Sequence, residues 1–327
     1  MQDGRVSSKR RRFCQTLVGA VLAPSIATAQ TAKIRRIGVL DPGVPDAPEW
    51  LWKEAAPLRE LGWLEGKNLQ VERRYDYGRR GAQQALADEL VRAKVELIVA
   101  GDLAIALAAK RATRTIPIVI CGAGDFDLSG LVASPARPGA NVTGIAFATA
   151  ELTAKGLSLL KQALPRLERV GYVVGTFRGA NRIQLESLSR SLNLAPMMIE
   201  IDGRGDLGSV FEQLREWRAQ ALVLRENIWQ RRVEIVDGAM KHGLPTLATD
   251  SGWVREVGAL MAYSSTWTEI FRLRAKFIDR ILRGANPADL PVEQPTLFEL
   301  VINLKTARAL GLTIPKQLLF QANEVVE

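Results

Sequence analysis

The sequence predicts an α/β protein built from two similar units in tandem, each with a mainly parallel β-sheet. Short apolar runs alternate with amphipathic segments of helical period from Ile34 onward, and the alternation starts again after a helical stretch at 151–164. The chain has 327 residues, which exceeds the roughly 100 to 200 residues of a typical domain. It is therefore long enough to hold two cores of ordinary size.

The first unit contains five predicted strands. Their sequences are IRRIGVL, LQVERRY, VELIVAG, PIVICG and VTGIAF. Amphipathic segments near 47–61, 81–93 and 103–112 separate the first four strands. Repeated strand–helix–strand units place helices on the faces of the sheet, and such units imply parallel strands.

The second unit repeats this arrangement. Its predicted strands are VGYVVG, MMIEI, ALVLRE, PTLAT and GALMAYS, and its helical segments lie near 180–192, 206–217 and 229–241. The joint between the units falls near 144–150, after the Pro/Gly-rich stretch SPARPGANVTG.

The C-terminal part departs from the alternation. A long helical segment at 266–283 precedes an extended stretch that contains Pro287, Pro291 and Pro295. Proline breaks helices and fits poorly in a central strand, so we expect this stretch to cross between the two units. Several strands at such a junction would form a hinge.

These patterns divide the chain into three parts. Residues 1–29 are a predicted signal peptide, with the basic stretch SSKRRRF, the apolar run TLVGAVLAPSIATA and a small-x-small cleavage site. Lobe one is predicted to comprise 30–145 plus about 264–291, and lobe two 146–263 plus about 292–327. The basic stretch also fits a twin-arginine signal, so the choice between the Sec and twin-arginine routes stays open.

Charge and hydropathy favour a soluble periplasmic protein. The formal net charge is +9, and it falls to +5 without the first 29 residues, which contain five basic residues and one acidic residue. The remaining basic residues form no block longer than a pair, so we predict no nucleic-acid partner. No segment after the signal peptide is long and uncharged enough to span a bilayer.

The residues that commonly carry catalysis or bind metals are scarce. His242 is the single histidine, which excludes a multi-histidine metal site and weakens any Ser-His-Asp or Cys-His proposal. We expect a structural or surface role for it. Cys121 ends the apolar run PIVIC, is the only cysteine after the signal peptide and is expected in the core. We therefore predict neither an enzyme nor a cofactor or metal site.

A ligand site is expected beyond the carboxyl ends of the parallel strands, where loops and helix N-termini gather. Thirteen candidate residues occupy such positions in the predicted units and at the crossing: Asp41, Trp50, Gly101, Asp102, Gly124, Asp125, Gly175, Thr176, Glu226, Asn227, Asp250, Ser251 and Tyr263.

These residue types suit a zwitterionic or planar ligand. The carboxylate of such a ligand suits Thr176 and Ser251, and its ammonium suits Asp102, Asp125 or Asp250. A planar portion would stack on one of three indoles, those of Trp50, Trp229 or Trp253.

Six of these candidates also have a structural alternative. Asp102 and Asp250 could cap the helices that follow them, and Asp125 could form a turn. Glu226 and Asn227 could begin a helix. Trp50 lies in a Pro-rich loop, and it could anchor the core instead of covering a cleft.

One motif favours a different class of protein. Gly203, Gly205 and Gly208 have the G-x-G-x-x-G spacing of a dinucleotide site, so an exported NAD(P)-dependent oxidoreductase is an alternative. Against it, the glycines follow the second strand of lobe two, and Asp202 and Asp206 bring negative charge to the pyrophosphate position. Asp206 is then expected to be the N-cap of the next helix.

Four longer stretches resemble a known family. They are LRELGWLEGKNLQVERRY, AAKRATRTIPIVI, SGLVASPARPGANVTG and LRGANPADLPVEQPTLFELVINLKTARALGLTIP. Together they resemble the ABC-transporter substrate-binding proteins of the tryptophan/tyrosine type, from about Lys33 to Glu327. The resemblance implies the periplasmic binding protein type I fold, with two Rossmann-like lobes, three chain crossings and a ligand cleft between the lobes.

The same resemblance implies a function. A small polar molecule, such as an amino acid or an aromatic or carboxylate metabolite, would be captured by hinge closure and delivered to an ABC permease with a cytoplasmic ATPase. The protein would act as a monomer. Agreement is weakest in DPGVPDAPEWLW, GDLAIA and RENIW, which are predicted ligand loops, so the ligand stays open. A ligand-sensing receptor of the same fold also stays open.

Overall fold

The computed structural model describes residues 34–42, 55–77, 79, 81–124, 130–147, 149–175, 179–201 and 205–327. These residues form two β-sheets with helices on both faces, which confirms the predicted α/β class. The predicted signal peptide lies outside the described residues. None of the helices in the described ranges is both long and apolar enough to cross a lipid bilayer.

The first sheet has five strands, all parallel, in the order β2-β1-β3-β4-β5. The strands are β1 Arg35–Asp41, β2 Leu69–Tyr75, β3 Leu97–Ala100, β4 Ile118–Gly124 and β5 Val142–Phe147. Helices α1 Ala55–Glu60, α2 Ala82–Arg92 and α3 Leu103–Ala112 lie between them in sequence. α2 and α3 cover one face of the sheet, where their buried alanine and leucine side chains meet Leu40, Ile98 and Ile120.

The second sheet has seven strands in the order β12-β11-β10-β9-β8-β6-β7. They are β6 Arg169–Val174, β7 Ala195–Glu200, β8 Ala221–Leu224, β9 Thr246–Ala248, β10 Met261–Ser265, β11 Phe298–Asn303 and β12 Glu324–Val326. β10 and β11 pair antiparallel, and every other neighbouring pair is parallel. This sheet is therefore mainly parallel, as predicted.

Eight further helices accompany the second sheet or follow it in sequence. They are α4 Thr149–Ala163, α5 Gly179–Ser191, α6 Leu207–Glu216, α7 Arg232–Lys241, α8 Gly252–Val257, α9 Trp267–Leu282, α10 Leu304–Ala309 and α11 Lys316–Gln321. Within the described residues, two short 3-10 helices span Glu226–Arg231 and Pro287–Asp289. Buried residues of α6, α7 and α8 form the core on one face of the sheet, and buried residues of α4 join the core on the other.

α9 belongs to the core of the first sheet although it follows β10 of the second. Its residues Ile270, Phe277 and Ile278 are buried against Ile37, Val39 and other side chains of the first sheet. The chain thus passes from the first sheet to the second after β5, returns with α9, and enters the second sheet again with β11.

The extended stretch between α9 and β11 forms hydrogen bonds with β5. Glu293 donates its N–H to the Gly144 carbonyl at 3.0 Å and accepts the Ala146 N–H at 3.0 Å. The hydroxyl of Thr143 donates to the Leu290 carbonyl at 2.7 Å. Gly144 has a φ of 138°, and a Cβ there would overlap backbone atoms of Ile120, so only glycine fits. The extended stretch after α9 is thereby held beside the first sheet.

Candidate functional site

The carboxyl ends of β1, β2 and β3 bring three aspartates together. Asp41 ends β1, Asp76 follows β2, and Asp102 follows β3 after Gly101. These strands are neighbours in the sheet, and the Asp76 N–H donates to the Asp41 carbonyl at 3.2 Å. A Cβ on Gly101 would lie 2.8 Å from Asp41 Cγ, so the Asp41 carboxylate fills the space beside Gly101. Three carboxylates therefore gather at this end of the sheet.

Asp102 is the N-cap of α3. Its Oδ1 accepts the N–H of Ile105 at 2.8 Å, which confirms the capping role that the sequence left open. Burial raises the pKa of this carboxyl to about 6, and the charges of Asp76 and Asp41 add to the increase, while the Ile105 N–H acts in the opposite direction. Both charged groups that act on Asp102 are negative, so a cation brought close to it would be stabilised.

Asp76 is a residue that the sequence analysis missed. It is 3% exposed, and its Oδ2 accepts a hydrogen bond from Gln83 Nε2 at 2.6 Å. The signal was available in the sequence, because Asp76 directly follows a predicted strand in the same way as Asp41 does.

Arg274 on α9 is the second residue that was missed. It is 5% exposed, and its guanidinium carbon lies 5.6 Å from the centroid of the Phe271 ring. Burial lowers the pKa of Arg274 to about 10, and the negative charge of Asp41 counteracts this decrease. The charges of this buried guanidinium and of Asp41 therefore interact, although the two residues are far apart in sequence.

In the second sheet, Asp250 follows β9 and is 8% exposed. Its Oδ1 accepts the Gly252 N–H at 2.7 Å, at the start of α8, and its Oδ2 accepts the Trp267 Nε1–H at 2.7 Å. The first hydrogen bond confirms the structural alternative for Asp250, in which its carboxylate accepts an N–H group at the start of the next helix. The second bond connects it to α9.

Trp229 and Trp253 have different environments. Trp253 is fully buried in the core, so its predicted role in stacking on a ligand is wrong. Trp229 lies in the 3-10 helix after β8, packs edge-to-face against Trp253 at 5.6 Å, and carries the Arg232 guanidinium 4.7 Å from its ring centroid. A Cβ on Gly252 would lie 2.8 Å from Trp229 Cη2, which places this indole close to Asp250.

Arg225, which the sequence analysis did not select, directly follows β8. It is partly buried, and its backbone is extended at the start of the 3-10 helix. Burial raises the pKa of Tyr172 on β6 to about 12, and the Ser189 hydroxyl and the Arg225 charge oppose this increase. Arg225 therefore brings positive charge to the carboxyl ends of β6 and β8.

Ser251 has a structural role, which corrects its selection as a ligand contact. The residue is fully buried, its hydroxyl donates to Glu299 Oε1 at 2.5 Å, and it accepts from Arg255 Nη1 at 2.6 Å. Arg255 Nη2 also contacts Glu324 at 2.7 Å. This network ties α8 to β11 and β12, so the hydroxyl is not available to a ligand carboxylate.

The other candidates are placed as follows. Gly101 and Gly175 directly follow β3 and β6, and Gly124 is the last residue of β4. Tyr263 lies on β10, where its partly buried ring is 6.1 Å from the ring of Phe298. Glu226 and Asn227 begin the 3-10 helix, which confirms that they start a helix. Three candidates lie outside the described residues: Trp50, Asp125 and Thr176.

Gly175 also lines a cavity of about 510 Å³ at the carboxyl end of β7. Glu200, Asp206, Ser209 and Gln213 contribute its polar side chains. Asp206 belongs to the glycine motif, and its carboxylate accepts the N–H groups of Gly208 at 2.9 Å and Ser209 at 3.1 Å. Asp206 is thus the N-cap of α6, as predicted, and it occupies N–H groups that a pyrophosphate would need.

We expect Asp206→Ala to lower the free energy of unfolding by about 1 kcal/mol, because the first turn of α6 loses its acceptor. Asp206→Asn should retain most of the stability, since asparagine caps equally well. Urea unfolding of the two variants measures the difference. Calorimetric titration with NAD and NADP should show no binding to either, and nucleotide binding by the alanine variant would restore the dinucleotide hypothesis.

The remaining chemistry-bearing residues have structural roles. His242 packs its ring on that of Phe211 with centroids 4.9 Å apart, and its Nδ1 lies 2.8 Å from the Gly238 carbonyl oxygen. Cys121 is buried in the core of the first sheet, and burial raises the pKa of its thiol. Within the described ranges, no group of three histidine, cysteine or acidic side chains has the arrangement of a metal site.

The comparisons with known proteins agree with this architecture. The model of the family described as ABC transporter substrate binding protein matches residues 54–326. The Tyrosine-binding protein of Clostridioides difficile (strain R20291) is 26% identical over 261 residues, which cover 78% of this chain and 74% of that protein.

Solved structures show the same fold. The ABC domain in complex with L-Trp from Streptococcus pneumonia is 22% identical, with a TM-score of 0.79 over 89% of this chain and 99% of that chain. A conserved domain protein from Vibrio cholerae o1 biovar eltor str. n16961 is 23% identical, with a TM-score of 0.81 over 90% of this chain and 100% of that chain. The fold is that of the type I periplasmic binding proteins. Because its family model spans most of the sequence, the chain belongs to the ABC transporter substrate binding protein family.

Proposed function

We propose that this protein is an exported receptor that captures an amino acid with an aromatic or large apolar side chain and delivers it to an ABC permease driven by a cytoplasmic ATPase. Family membership supports the transport role. The names of two similar proteins refer to tyrosine and to L-Trp as their ligands. The basic and apolar stretches of residues 1–29 support export.

The observation that carries the amino-acid assignment is the acidic end of the first sheet. Asp41, Asp76 and Asp102 converge there, and the charged groups that act on Asp102 are two further carboxylates. An α-ammonium group placed among them would make charge-assisted hydrogen bonds, which are about twice as strong as neutral ones. It would also remove the electrostatic cost of ionising Asp102.

The second sheet supplies partners for the rest of an amino acid. Arg225 follows β8 and suits the ligand carboxylate, because guanidinium binds carboxylate through two parallel hydrogen bonds. Trp229 lies four residues further on and suits an aromatic or large apolar side chain. A zwitterion that contacts both sheets would then favour closure about the three chain passages.

The test is a titration of the purified protein with L-tryptophan, L-tyrosine, L-phenylalanine and L-leucine, followed by calorimetry and intrinsic fluorescence. We expect at least one of them to bind. The deaminated analogue of the best ligand should bind about 100-fold more weakly, because the aspartates lose a charged partner. Equal affinity for the deaminated analogue, or no binding of any amino acid, would contradict the proposal.

A further inference from the structure

Helix α9 links the second sheet, which it follows in sequence, to the first sheet, against which it packs. It begins at Trp267, directly after β10 of the second sheet and Thr266, and its buried face packs against the first sheet. Trp267, Phe271 and Arg274 are spaced four and three residues apart, so they lie along one face of the helix. This row of three side chains is called the α9 row below.

The N-terminal end of the α9 row contacts the second sheet. Trp267 Nε1 donates to Asp250 Oδ2 at 2.7 Å, while the Gly252 N–H occupies Asp250 Oδ1. Both oxygens of this buried carboxylate are therefore oriented by donors from different elements. The Trp267 ring stacks on the Phe271 ring, with centroids 5.5 Å apart and planes inclined at 26°.

The other end of the α9 row is near the first sheet. Phe271 is 4% exposed and packs between Trp267 and the Arg274 guanidinium, which is 5.6 Å from its ring centroid. Arg274 is itself 5% exposed, and the charge of Asp41 stabilises it there. One continuous set of contacts thus extends from Asp250 at the end of β9 to the Arg274 guanidinium, whose charge interacts with that of Asp41.

From this geometry we propose that Trp267 and Arg274 are positioning residues of the amino-acid site. Trp267 holds the Asp250 carboxylate in the orientation in which the ligand is bound, Arg274 acts on Asp41 through its charge, and neither residue contacts the ligand. Because Trp267 is bonded to Asp250 and stacked on Phe271, ligand binding at the end of β9 alters the environment of the Trp267 indole. This inference rests on the proposed function.

The chain offers a matched control for the indole–carboxylate bond. Trp63 Nε1 donates to Asp279 Oδ1 at 2.9 Å, and Asp279 lies near the C-terminal end of the same helix α9. Trp63→Phe therefore deletes the same kind of bond to the same helix, away from Asp250 and Asp41. Both phenylalanine variants keep an aromatic ring and lose one N–H donor.

The affinity of the best amino-acid ligand is measured for wild type, Trp267→Phe and Trp63→Phe. We expect about tenfold weaker binding for Trp267→Phe, the effect of one charge-assisted hydrogen bond, and less than a twofold change for Trp63→Phe. In an Asp250→Asn background, Trp267→Phe should have almost no further effect. The ligand-induced change in tryptophan fluorescence should be reduced by Trp267→Phe and retained in Trp63→Phe.

Arg274 is tested by rescue. Arg274→Gln should weaken binding about 100-fold, and Arg274→Lys should restore part of the affinity because it returns the positive charge near Asp41. If Arg274→Gln does not fold, the affinity of Arg274→Lys and the effect of Trp267→Phe in the wild-type and Asp250→Asn backgrounds still test the proposal. Equal affinities for Trp267→Phe and Trp63→Phe would overturn this inference alone, whereas a wild-type protein that binds no amino acid would overturn the proposed function and this inference with it.

Discussion

Asp102→Asn is expected to stabilise the ligand-free protein at pH 8 and to weaken amino-acid binding about 100-fold. Asparagine caps a helix as well as aspartate does, so the bond to the Ile105 N–H is retained. The substitution removes a carboxyl group whose pKa is raised to about 6 from 3.8 by burial and by the charges of Asp76 and Asp41. Ionising such a group in the folded protein costs up to about 3 kcal/mol.

The pH dependence of this effect has a definite sign. The folded state binds the Asp102 proton more tightly than the unfolded state, since the pKa of the carboxyl is higher in the folded state. The stability that this group contributes is complete below about pH 4, is lost as the pH rises to about 6, and stays lost above that. The difference between variant and wild type should therefore grow over this interval and then remain constant.

Urea unfolding at pH 4, 5, 6 and 8 measures this difference, with Glu212→Gln on the exposed face of α6 as the control. The control removes one carboxylate away from the aspartates and should change neither stability nor affinity. A lower stability of Asp102→Asn at pH 8 would mean that the carboxylate is stabilised in the ligand-free protein. An unchanged affinity would exclude Asp102 from the ligand site.

Much of the fold was predictable because its signals are local. The predicted strands LQVERRY and VTGIAF coincide with β2 and β5, and the predicted helix at 266–283 is α9 to within one residue at each end. The antiparallel pair β10–β11 was not predicted, since β11 follows the long extended stretch and pairs with a strand far back in the sequence. Hydropathy within one segment contains no information about such a partner.

The candidate site was predictable only as far as strand ends mark it. This rule selected Asp41, Asp102 and Asp250, and the same rule applied to β2 would have found Asp76. It could not select Arg274, because the charge of that residue acts on Asp41 from a helix in a distant part of the chain.

The error at Ser251 has the same origin. Its position after β9 suits a ligand contact, but its hydroxyl is bonded to Glu299 and Arg255. Glu299 comes from β11, which is far from Ser251 in sequence. Long-range hydrogen bonds decide whether a polar residue at a strand end is free for a ligand, and these are absent from any local pattern.

Gly101→Ala is expected to reduce amino-acid affinity about 100-fold through a change in Asp41. The new methyl group would lie 2.8 Å from Asp41 Cγ and 3.1 Å from Pro42 Cδ, and the backbone cannot easily retreat because the Gly101 N–H donates to the Leu40 carbonyl at 2.9 Å. The short aspartate side chain must therefore move away from residue 101. Overpacking of this kind also lowers the free energy of unfolding by about 1 to 3 kcal/mol.

The control is Gly171→Ala on β6, whose new Cβ would lie 2.5 Å from Leu214 Cδ2 and 2.9 Å from Leu222 Cδ2 in the core of the second sheet. It should lower stability without changing affinity. In an Asp41→Ala background, Gly101→Ala should cost little further stability and no further affinity, because the overlapping carboxylate is gone. If Gly101→Ala binds the ligand as tightly as wild type does, Asp41 is a structural partner of Arg274 and the ammonium site must be sought at Asp76 and Asp102.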